Sequence, residues 1–291
     1  MKSIGIVVLS YKNTVDTIEC IRSIQKVSLD GYSIVVVLVD NSEDSSYPSQ
    51  IKKACPDIDC IIECPNDGYS AGNNRGIEKA ISLGCEYLVV INNDTVVDNG
   101  FLKPLIVELE GNKDCVVAPI IYNYYSKKVW SSGGKFRKLF GDYCMLYDDF
   151  KGIRKTEFVS GCCFATSARV FSKIGLLNED YFMYCEDNEF CRRVSNNGFD
   201  IYVIRESQIY HKVGVSTKGY NEFQLYYIYR NRINFCYSFF KGFNKFYRVL
   251  INKLRARWKM LLFLLQNKKS FAKALAFAIK DSRDIRGCRR Y

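Results

Sequence analysis

The chain has 291 residues, 48% of them apolar, and a formal net charge of +11. These values fit one large globular domain, or one domain plus an appendage, and exclude a disordered or fibrous protein. Thirteen cysteines without a CxxC pair, together with a single histidine, argue against a Cys/His zinc site. We interpret the cysteines as reduced, mostly buried side chains of a cytosolic protein.

The positive charge is confined to the C-terminal part of the chain. Residues 223–291 contain 17 Lys/Arg and 2 Asp/Glu, whereas residues 1–222 contain 25 and 29. This asymmetry favours an acidic partner for the C-terminal part, either membrane headgroups or nucleic acid. Residues 4–9 are too short for the apolar part of a signal peptide. No apolar run approaches the roughly 18 residues that cross a bilayer.

The N-terminal third alternates short apolar runs with stretches of helical spacing. Strands are predicted at residues 3–10, 33–39, 58–63 and 87–91, and helices at residues 16–27 and 74–83. This βαβαβ order predicts an α/β fold with a doubly wound, nucleotide-binding half.

Polar side chains follow two of these predicted strands. Asp40 opens a polar run after the second strand, and Asn92, Asn93 and Asp94 follow the run at residues 87–91. Ligands of open α/β sheets bind at this edge. A carboxylate flanked by amide oxygens suits a hard divalent cation that also takes substrate phosphates. The alternative is an ordinary strand-to-turn junction, which Asn and Asp also favour.

Residues 65–76 form a stretch rich in glycine and small residues ahead of a predicted helix. Glycines there would allow the backbone to approach a ligand closely, and the amides at the helix N-terminus would face an anion. The GxGxxG pattern is absent, so the stretch does not indicate a dinucleotide site.

The remaining elements follow in two groups. Residues 98–150 contain a helix, a strand at 115–118 and an aromatic stretch of weak periodicity. Beyond them, strands are predicted at residues 158–165 and 200–204, and helices at residues 167–174 and 188–196. An acidic and aromatic segment, residues 178–189, precedes the last of these helices.

From residue 223 the pattern changes to long helices without strands. Residues 250–266 place six large apolar side chains on one stripe, with basic residues around it: Leu250, Leu254, Trp258, Leu261, Leu262 and Leu265. A basic amphipathic helix of this composition is typical of a membrane interface. The alternative is a helix that packs on the body of the protein or on a second subunit.

Five separated stretches together resemble glycosyltransferase family 2, and within it the rhamnosyltransferase-like enzymes of bacterial surface polysaccharide assembly. They are Val-Val-Leu-Ser-Tyr-Lys-Asn (residues 7–13), Val-Asp-Asn-Ser (39–42), Asn-Asp-Gly-Tyr-Ser-Ala-Gly-Asn-Asn-Arg-Gly (66–76), Ile-Asn-Asn-Asp-Thr (91–95) and Tyr-Cys-Glu-Asp-Asn-Glu (184–189). Residues 210–212, Ser216-Thr217 and residues 229–232 continue the match, which covers roughly residues 3–235.

The resemblance implies a GT-A fold, in which a mixed, Rossmann-like sheet is flanked by helices. It also implies a nucleotide-sugar donor, a divalent metal (Mn²⁺ or Mg²⁺) and inversion at the anomeric carbon. We therefore expect a GT-A catalytic domain at residues 1–222 and a basic, membrane-associating helical extension at residues 223–291.

The same resemblance assigns roles to individual residues. Asp94 falls on the last Asp of the family's metal motif, although Asn92 and Asn93 replace its earlier acid, and His211 falls on a late His that contacts metal or diphosphate. A lone histidine is otherwise more often structural. Asp187 is expected to act as the general base, with Glu186 orienting the acceptor or fixing the loop. Nearby acids would raise the pKa of Asp187. The alternative for this segment is an exposed acidic loop that caps the following helix.

Further residues are expected to bind substrate, with Asp40 on the nucleoside and Arg230 helping at the diphosphate. The expected substrate-binding residues are Ser10, Tyr11, Asp40, Asn66, Gly68, Asn73, Asn74, Asn93 and Arg230.

The resulting hypothesis is an inverting glycosyltransferase on the cytoplasmic face of the cell membrane. It would move a sugar from dTDP-rhamnose or a UDP-hexose to a glycan, expected to be lipid-linked, and would bind no nucleic acid. A sugar-phosphate nucleotidyltransferase is disfavoured because the stretch after the first strand, residues 10–13, has no glycine. A basic nucleic-acid-binding module remains a second alternative, but it leaves the acidic cluster unexplained.

Overall fold

The computed structural model describes residues 2–212 and 221–291. The strands are β1 (Lys2–Ser10), β2 (Tyr32–Asp40), β3 (Cys60–Glu63), β4 (Tyr87–Asn92), β5 (Thr95–Val97), β6 (Cys115–Asn123), β7 (Val129–Ser131), β8 (Gly134–Arg137), β9 (Asp142–Met145), β10 (Ile153–Lys155), β11 (Cys163–Ser167) and β12 (Asp200–His211). The helices are α1 (Thr14–Ile24), α2 (Tyr47–Ala54), α3 (Tyr69–Ser82), α4 (Leu102–Gly111), α5 (Ala168–Ile174), α6 (Glu186–Asn196), α7 (Glu222–Phe239), α8 (Gly242–Leu265) and α9 (Lys269–Asp281).

The main sheet is mixed, with strand order β10-β12-β6-β11-β4-β1-β2-β3. Strands β3, β2, β1 and β4 run parallel, and β11 lies antiparallel between β4 and β6. Strand β12 is parallel to β6 and also pairs with the short strand β5. The expected mixed α/β sheet is therefore confirmed.

Apolar side chains fill both faces of this sheet, which is why its central strands read as continuous apolar runs. Ile4 and Ile6 of β1 face one cluster, which includes Leu105 of α4. Val7 faces the other, which includes Ile77 of α3 and Phe190 of α6. The helices thus cover the sheet on both sides and leave its strand ends open.

Several element boundaries differ from the sequence predictions. Helix α2 was not predicted, α3 begins at Tyr69 instead of residue 74, and β11 lies at Cys163–Ser167 instead of residues 158–165. Strand β12 runs on to His211 through an irregularity between Ile204 and Gln208. Ser216 and Thr217 lie outside the described residues.

The helices that follow β12 pack on one another and, through Phe235 of α7, on the core beside the sheet. Helix α7 starts with a capping box between Asn221 and Gln224, and Ala274 and Ala278 of α9 pack on Tyr226 and Tyr227 of α7. Within residues 2–212 and 221–291, no helix combines the length and apolar character needed to cross a bilayer.

Candidate active site

Three parallel strands end side by side at one edge of the sheet. Ser10, the last residue of β1, is in register with Asp40, the last residue of β2, and Leu9 pairs with Asn92 at the end of β4. Asp40 is buried and its Oδ1 accepts a hydrogen bond of 2.7 Å from the Ser42 amide. The predicted polar residues therefore meet at the carboxyl edge where α/β proteins bind ligands.

A buried network of hydroxyl groups supports this edge. The Asn93 side chain donates to Ser10 Oγ at 3.1 Å and to Thr17 Oγ1 at 2.8 Å, and the Tyr47 hydroxyl donates to Thr17 Oγ1 at 2.8 Å. Ser10 is fully buried. Its contacts in the structure position Asn93, which stands next to Asp94.

The turn before α3 is built around close contact with the segment that precedes α6. Gly68 has φ +100°, and a Cβ there would lie 2.3 Å from the Phe182 carbonyl oxygen. The Tyr69 amide donates to that same oxygen at 2.8 Å. We expected these glycines to admit a ligand. Gly68 admits Phe182 instead, and Gly76 admits Val7 and Val39 of the sheet.

A cavity of about 560 Å³ opens where these segments meet. Three of the predicted binding residues, Tyr11, Asn66 and Gly68, line it. Its opposite wall comes from Tyr184 and from residues of α7 and the C-terminal segment, including Tyr291. The cavity thus forms a cleft between the loops at the carboxyl edge of the sheet and the C-terminal helices, and two substrates could meet in it.

Asp94 and His211 are brought together by the pairing of β5 with β12, in which His211 stands opposite Thr95. His211 Nε2 lies 3.1 and 3.2 Å from the two carboxylate oxygens of Asp94. Trp130 packs edge-on against the imidazole with 4.5 Å between ring centroids. Asp94 Oδ1 and His211 Nδ1 are buried, and neither has a hydrogen-bond partner in the described part of the chain.

Asp94 and His211 could supply two of the ligands of a divalent cation. A carboxylate oxygen and an imidazole nitrogen are suitable ligand atoms for Mn²⁺, and among the residues that the structure describes the buried Asp94 Oδ1 has no hydrogen-bond partner apart from the imidazole that faces it. The described residues bring together no group of three His, Cys, Asp or Glu side chains. Substrate oxygens and water would therefore complete the coordination shell.

Glu186 and Asp187 stand in the first turn of α6, after a strained bend. Tyr184 and Cys185 both adopt left-handed backbone conformations, with φ of 67° and 70°, which non-glycine residues rarely adopt without a functional or packing reason. Asp187 Oδ2 accepts from the Gly161 amide at 3.3 Å, and Oδ1 accepts from the Asn188 amide at 2.7 Å.

Burial sets the protonation of both carboxyls. It raises the pKa of Asp187 to about 6, against the opposing effect of the Gly161 and Asn188 amides. It raises the pKa of Glu186 well above its usual range, with the charge of Asp187 adding to the shift. The direction agrees with our expectation, but the main cause is burial and not the acids at 179, 180 and 189.

The backbone at residues 161–162 links the Asp94–His211 pair to Asp187. The Asn92 amide donates to the Cys162 carbonyl at 2.9 Å, while the amide of the preceding residue, Gly161, donates to Asp187. Adjacent Cα atoms are about 3.8 Å apart. The end of β4, which leads to Asp94, and the first turn of α6 therefore both contact the short segment that enters β11.

Residues 6–175 match the model of the family described as "Glycosyl transferase family 2". The chain belongs to glycosyl transferase family 2. Residues 10, 40, 93 and 94 fall inside the matched range, whereas Asp187 and His211 lie beyond it.

Two curated relatives agree with this assignment. The low-salt glycan biosynthesis hexosyltransferase Agl10 of Haloferax volcanii is 27% identical over 277 residues, which cover 92% of this chain and 87% of Agl10. The dTDP-rhamnosyl transferase RfbF of Shigella flexneri is 24% identical over 187 residues, which cover 62% of this chain and 60% of RfbF.

The fold has a counterpart among solved structures. The crystal structure of GalNAc-T7 with UDP, GalNAc and Mn²⁺ aligns with a TM-score of 0.63 at 14% identity, covering 72% of this chain and 43% of that one. The expected GT-A fold is confirmed by this likeness, and the family identifies the chain as a glycosyltransferase.

Besides the fully buried Ser10, three further predicted binding residues do not reach the cleft of this glycosyltransferase. Arg230 is fully buried, where its guanidinium donates to Asn231 Oδ1 at 2.8 Å and to the Cys288 carbonyl. Asn74 binds the main chain of Leu177, and Asn73 donates to the Tyr69 carbonyl at 3.0 Å. Because α3 begins at Tyr69, both asparagines lie in its second turn and not at its N-terminus.

The sequence did not reveal Tyr69 and Tyr291 as parts of the site. The Tyr69 hydroxyl donates to the Gly161 carbonyl at 2.5 Å, and Glu186 and Asp187 both act on its pKa, which burial raises. The only signal for Tyr69 was its position after Gly68. Tyr291 carried no signal, since tertiary packing alone brings it to the cavity.

Proposed function

We propose that this glycosyltransferase moves a sugar from a nucleoside-diphosphate donor to a hydroxyl group of a glycan, with inversion at the anomeric carbon. The observation that carries the proposal is that adjacent residues of one loop contact both candidate centres. The Gly161 amide donates to Asp187, and the Cys162 carbonyl accepts from Asn92, two residues before Asp94. We infer that a base for the acceptor and a site for the donor diphosphate lie close enough to serve one reaction.

Asp187 is the proposed general base. Its raised pKa keeps it close to the operating pH, where a carboxylate removes a proton most effectively. As it accepts the proton of the acceptor hydroxyl, the oxygen of that hydroxyl bonds to the anomeric carbon. The bond from this carbon to the diphosphate oxygen breaks on the opposite face, and the nucleoside diphosphate leaves.

Asp94 and His211 are the proposed ligands of a divalent cation, either Mn²⁺ or Mg²⁺. When bound there, the cation would offset the negative charge that grows on the departing diphosphate. Asp40 would accept hydrogen bonds from the nucleoside, and Asn66 and Gly68 would line the donor side of the cavity.

The names of the relatives support a first choice of donors to test. Agl10 is named a hexosyltransferase and RfbF a dTDP-rhamnosyl transferase, so dTDP-rhamnose and UDP-hexoses are the first candidates. The test is to incubate the full chain with each donor and with Mn²⁺ or Mg²⁺, and to measure release of the nucleoside diphosphate. Release from one donor only when a divalent cation is present would support the proposal, and no release from any nucleotide sugar would contradict it.

We also propose that α8 binds the cytoplasmic surface of the membrane, where a lipid-linked glycan would be the acceptor. Only Val249, Asn252 and Ala256 of α8 are buried. The opposite face exposes large apolar side chains at i, i+3 and i+4 spacing: Phe243, Phe246, Leu250, Leu254, Trp258, Leu261 and Leu265. Lys253 and Arg257 lie beside this face, a combination that suits anionic headgroups.

A further inference from the structure

Three arginines converge on one buried carboxylate, near the strained bend at Tyr184 and Cys185. Asp142, at the start of β9, is only 1% exposed and forms a two-pronged ion pair with Arg137, at 2.8 and 2.6 Å. Arg232 of α7 lies 3.3 Å from the same carboxylate, and Arg255 of α8 lies 3.5 Å from it. With three guanidinium groups and one carboxylate, the cluster has a net charge of +2.

This excess charge is unfavourable for the folded protein. Burial lowers the pKa of Arg255, and the charges of Arg232 and Arg137 lower it further. The three side chains nevertheless remain between 22% and 34% exposed, so an anion in solution can reach them. A partly desolvated cluster of arginines is the arrangement with which proteins bind phosphate groups.

The cluster lies next to the proposed base. Asn231, the neighbour of Arg232, donates hydrogen bonds from its side-chain amide to the Met183 and Tyr184 carbonyls, at 2.9 and 2.7 Å. These two residues lie just before Glu186 and Asp187 in the chain. Arg232 and Asp142 also act electrostatically on the Cys185 thiol, together with Glu186 and Asp187. An anion held by the cluster would therefore lie close to the bend at Tyr184 and Cys185 that precedes Glu186 and Asp187.

The same helix joins this cluster to the apolar surface. Arg255 projects from α8. Its neighbour Leu254 is 51% exposed, and Trp258, about one turn further along α8, is 64% exposed. An acceptor with a phosphate beside an apolar chain could contact both features at once. We propose that Arg137, Arg232 and Arg255 bind a phosphate group of the acceptor, at the junction between its sugar and its lipid, an inference that rests on the proposed transfer to a lipid-linked glycan.

The test measures binding of farnesyl diphosphate and farnesol to the full chain by calorimetry, with Mg²⁺ and saturating UDP or dTDP to fill the donor side. We expect farnesyl diphosphate to bind at least about tenfold more tightly than farnesol, and R232Q and R255Q each to lose about tenfold of that affinity. R154Q, which removes an arginine paired with Asp148 elsewhere, should bind as the unaltered chain does.

Thermal unfolding distinguishes a binding cluster from a merely structural one. Since Arg255 adds to an excess of like charge, R255Q should keep or raise the melting temperature, whereas a structural role predicts a loss. Equal affinity for farnesol and farnesyl diphosphate would overturn the inference. So would an equal loss of binding to phosphatidylglycerol vesicles in R232Q and R255Q, which would assign the cluster to lipid headgroups.

Release of nucleoside diphosphate from the donor alone distinguishes a failure of this inference from a failure of the proposed function. R232Q and R255Q should still release nucleoside diphosphate from the donor in the absence of acceptor. If the unaltered chain releases it but does not prefer the diphosphate probe, the phosphate site is wrong and the glycosyl transfer stands. If the chain releases none from any nucleotide sugar, the proposed function itself fails.

Discussion

At the scale of single residues, Asp187 is the side chain on which the proposed chemistry depends most. Replacing it with Asn keeps the shape of the side chain and removes the base. Asn retains only one of the two hydrogen bonds that the carboxylate accepts from the Gly161 and Asn188 amides, because its amide nitrogen cannot accept. We expect D187N to reduce the transfer rate by about 10²–10⁴-fold while the affinity for the donor stays unchanged. Calorimetry with the donor and a turnover assay measure the two quantities.

Asp57 offers a matched control for this substitution. It is an exposed aspartate in the turn before β3, at the opposite edge of the sheet, so D57N should retain full activity. If D187N lost affinity for the donor but kept its turnover, Asp187 would be a binding residue and another group would be the base.

The raised pKa of Asp187 also predicts how activity and stability depend on pH. Since only the ionised carboxylate accepts a proton, turnover should fall as the pH falls through about 6. The native state holds this proton more tightly than the unfolded chain, whose Asp titrates near about 4. The contribution of Asp187 to the free energy of unfolding should therefore decrease as pH rises from about 4 to about 6, and D187N should lack this contribution. A flat turnover profile between pH 5 and 8 would contradict the assignment.

His211 tests the proposed cation site without touching the base. H211A removes an imidazole nitrogen that faces both oxygens of Asp94. We expect the Mn²⁺ concentration for half-maximal activity to rise at least about tenfold, with activity recovered at high Mn²⁺. An unchanged requirement for Mn²⁺ would remove His211 from the set of ligands.

At the scale of elements, the start of α3 depends on the absence of a side chain at Gly68. In G68A the new Cβ would lie 2.3 Å from the Phe182 carbonyl oxygen, and φ is +100°. We expect a loss of about 3 kcal/mol or more in the free energy of unfolding. Gly84 has a similar φ of +81° with open space around it, so G84A should cost only about 1–2 kcal/mol. If urea titrations gave the same loss of unfolding free energy for G68A and G84A, the turn before α3 would be able to rearrange around the added methyl group.

The exposed face of α8 is the second element-scale prediction. The double variant L254E/W258E should lose most of its binding to phosphatidylglycerol vesicles in sedimentation assays, because it places two negative charges on the apolar stripe. V107E provides the control, since Val107 is a 61% exposed apolar residue on the separate helix α4. Unchanged sedimentation of L254E/W258E would favour the alternative that a protein partner covers α8.

The elements also show what could be predicted from the sequence and what could not. The buried strands β1, β2 and β4 were predictable because each is a long apolar run. Helix α2 was not, because only Tyr47 and Ile51 of its eight residues are buried and it follows a polar run. The start of α3 was placed too late, because the asparagines at 73 and 74 resemble a helix start while Gly68 actually precedes the first turn.

At the scale of the whole molecule, the C-terminal helices are more closely integrated with the body than their basic composition indicated. The Tyr226 hydroxyl of α7 donates to Asp281 of α9 at 2.8 Å, and Arg230 bonds to the main chain at Cys288. Deleting residues 245–291 would expose the buried face of α7. Substitutions on the outer face of α8 therefore test membrane binding more cleanly than that truncation.

The same long-range packing explains which site residues sequence reasoning missed. Asp94 and His211 come from motifs 117 positions apart, and a resemblance to a family could pair them. Nothing in the local pattern shows that Arg230 turns inward or that Tyr291 reaches the cavity, because both positions follow from how α7 and α9 pack.

The antiparallel strand in the middle of the sheet has a consequence during synthesis on the ribosome. Val116 and Val117 of β6 pair with Thr166 and Ala165 of β11 on one side and with Ile201 and Tyr202 of β12 on the other. Strand β7 pairs only with Ile121 and Tyr122 at the far end of β6. At elongation rates of about 5–20 residues per second, Val116 and Val117 therefore wait roughly 2–10 s for their first partner strand. A nascent chain stalled between β6 and β11 is therefore the stage at which we expect chaperones to be needed most.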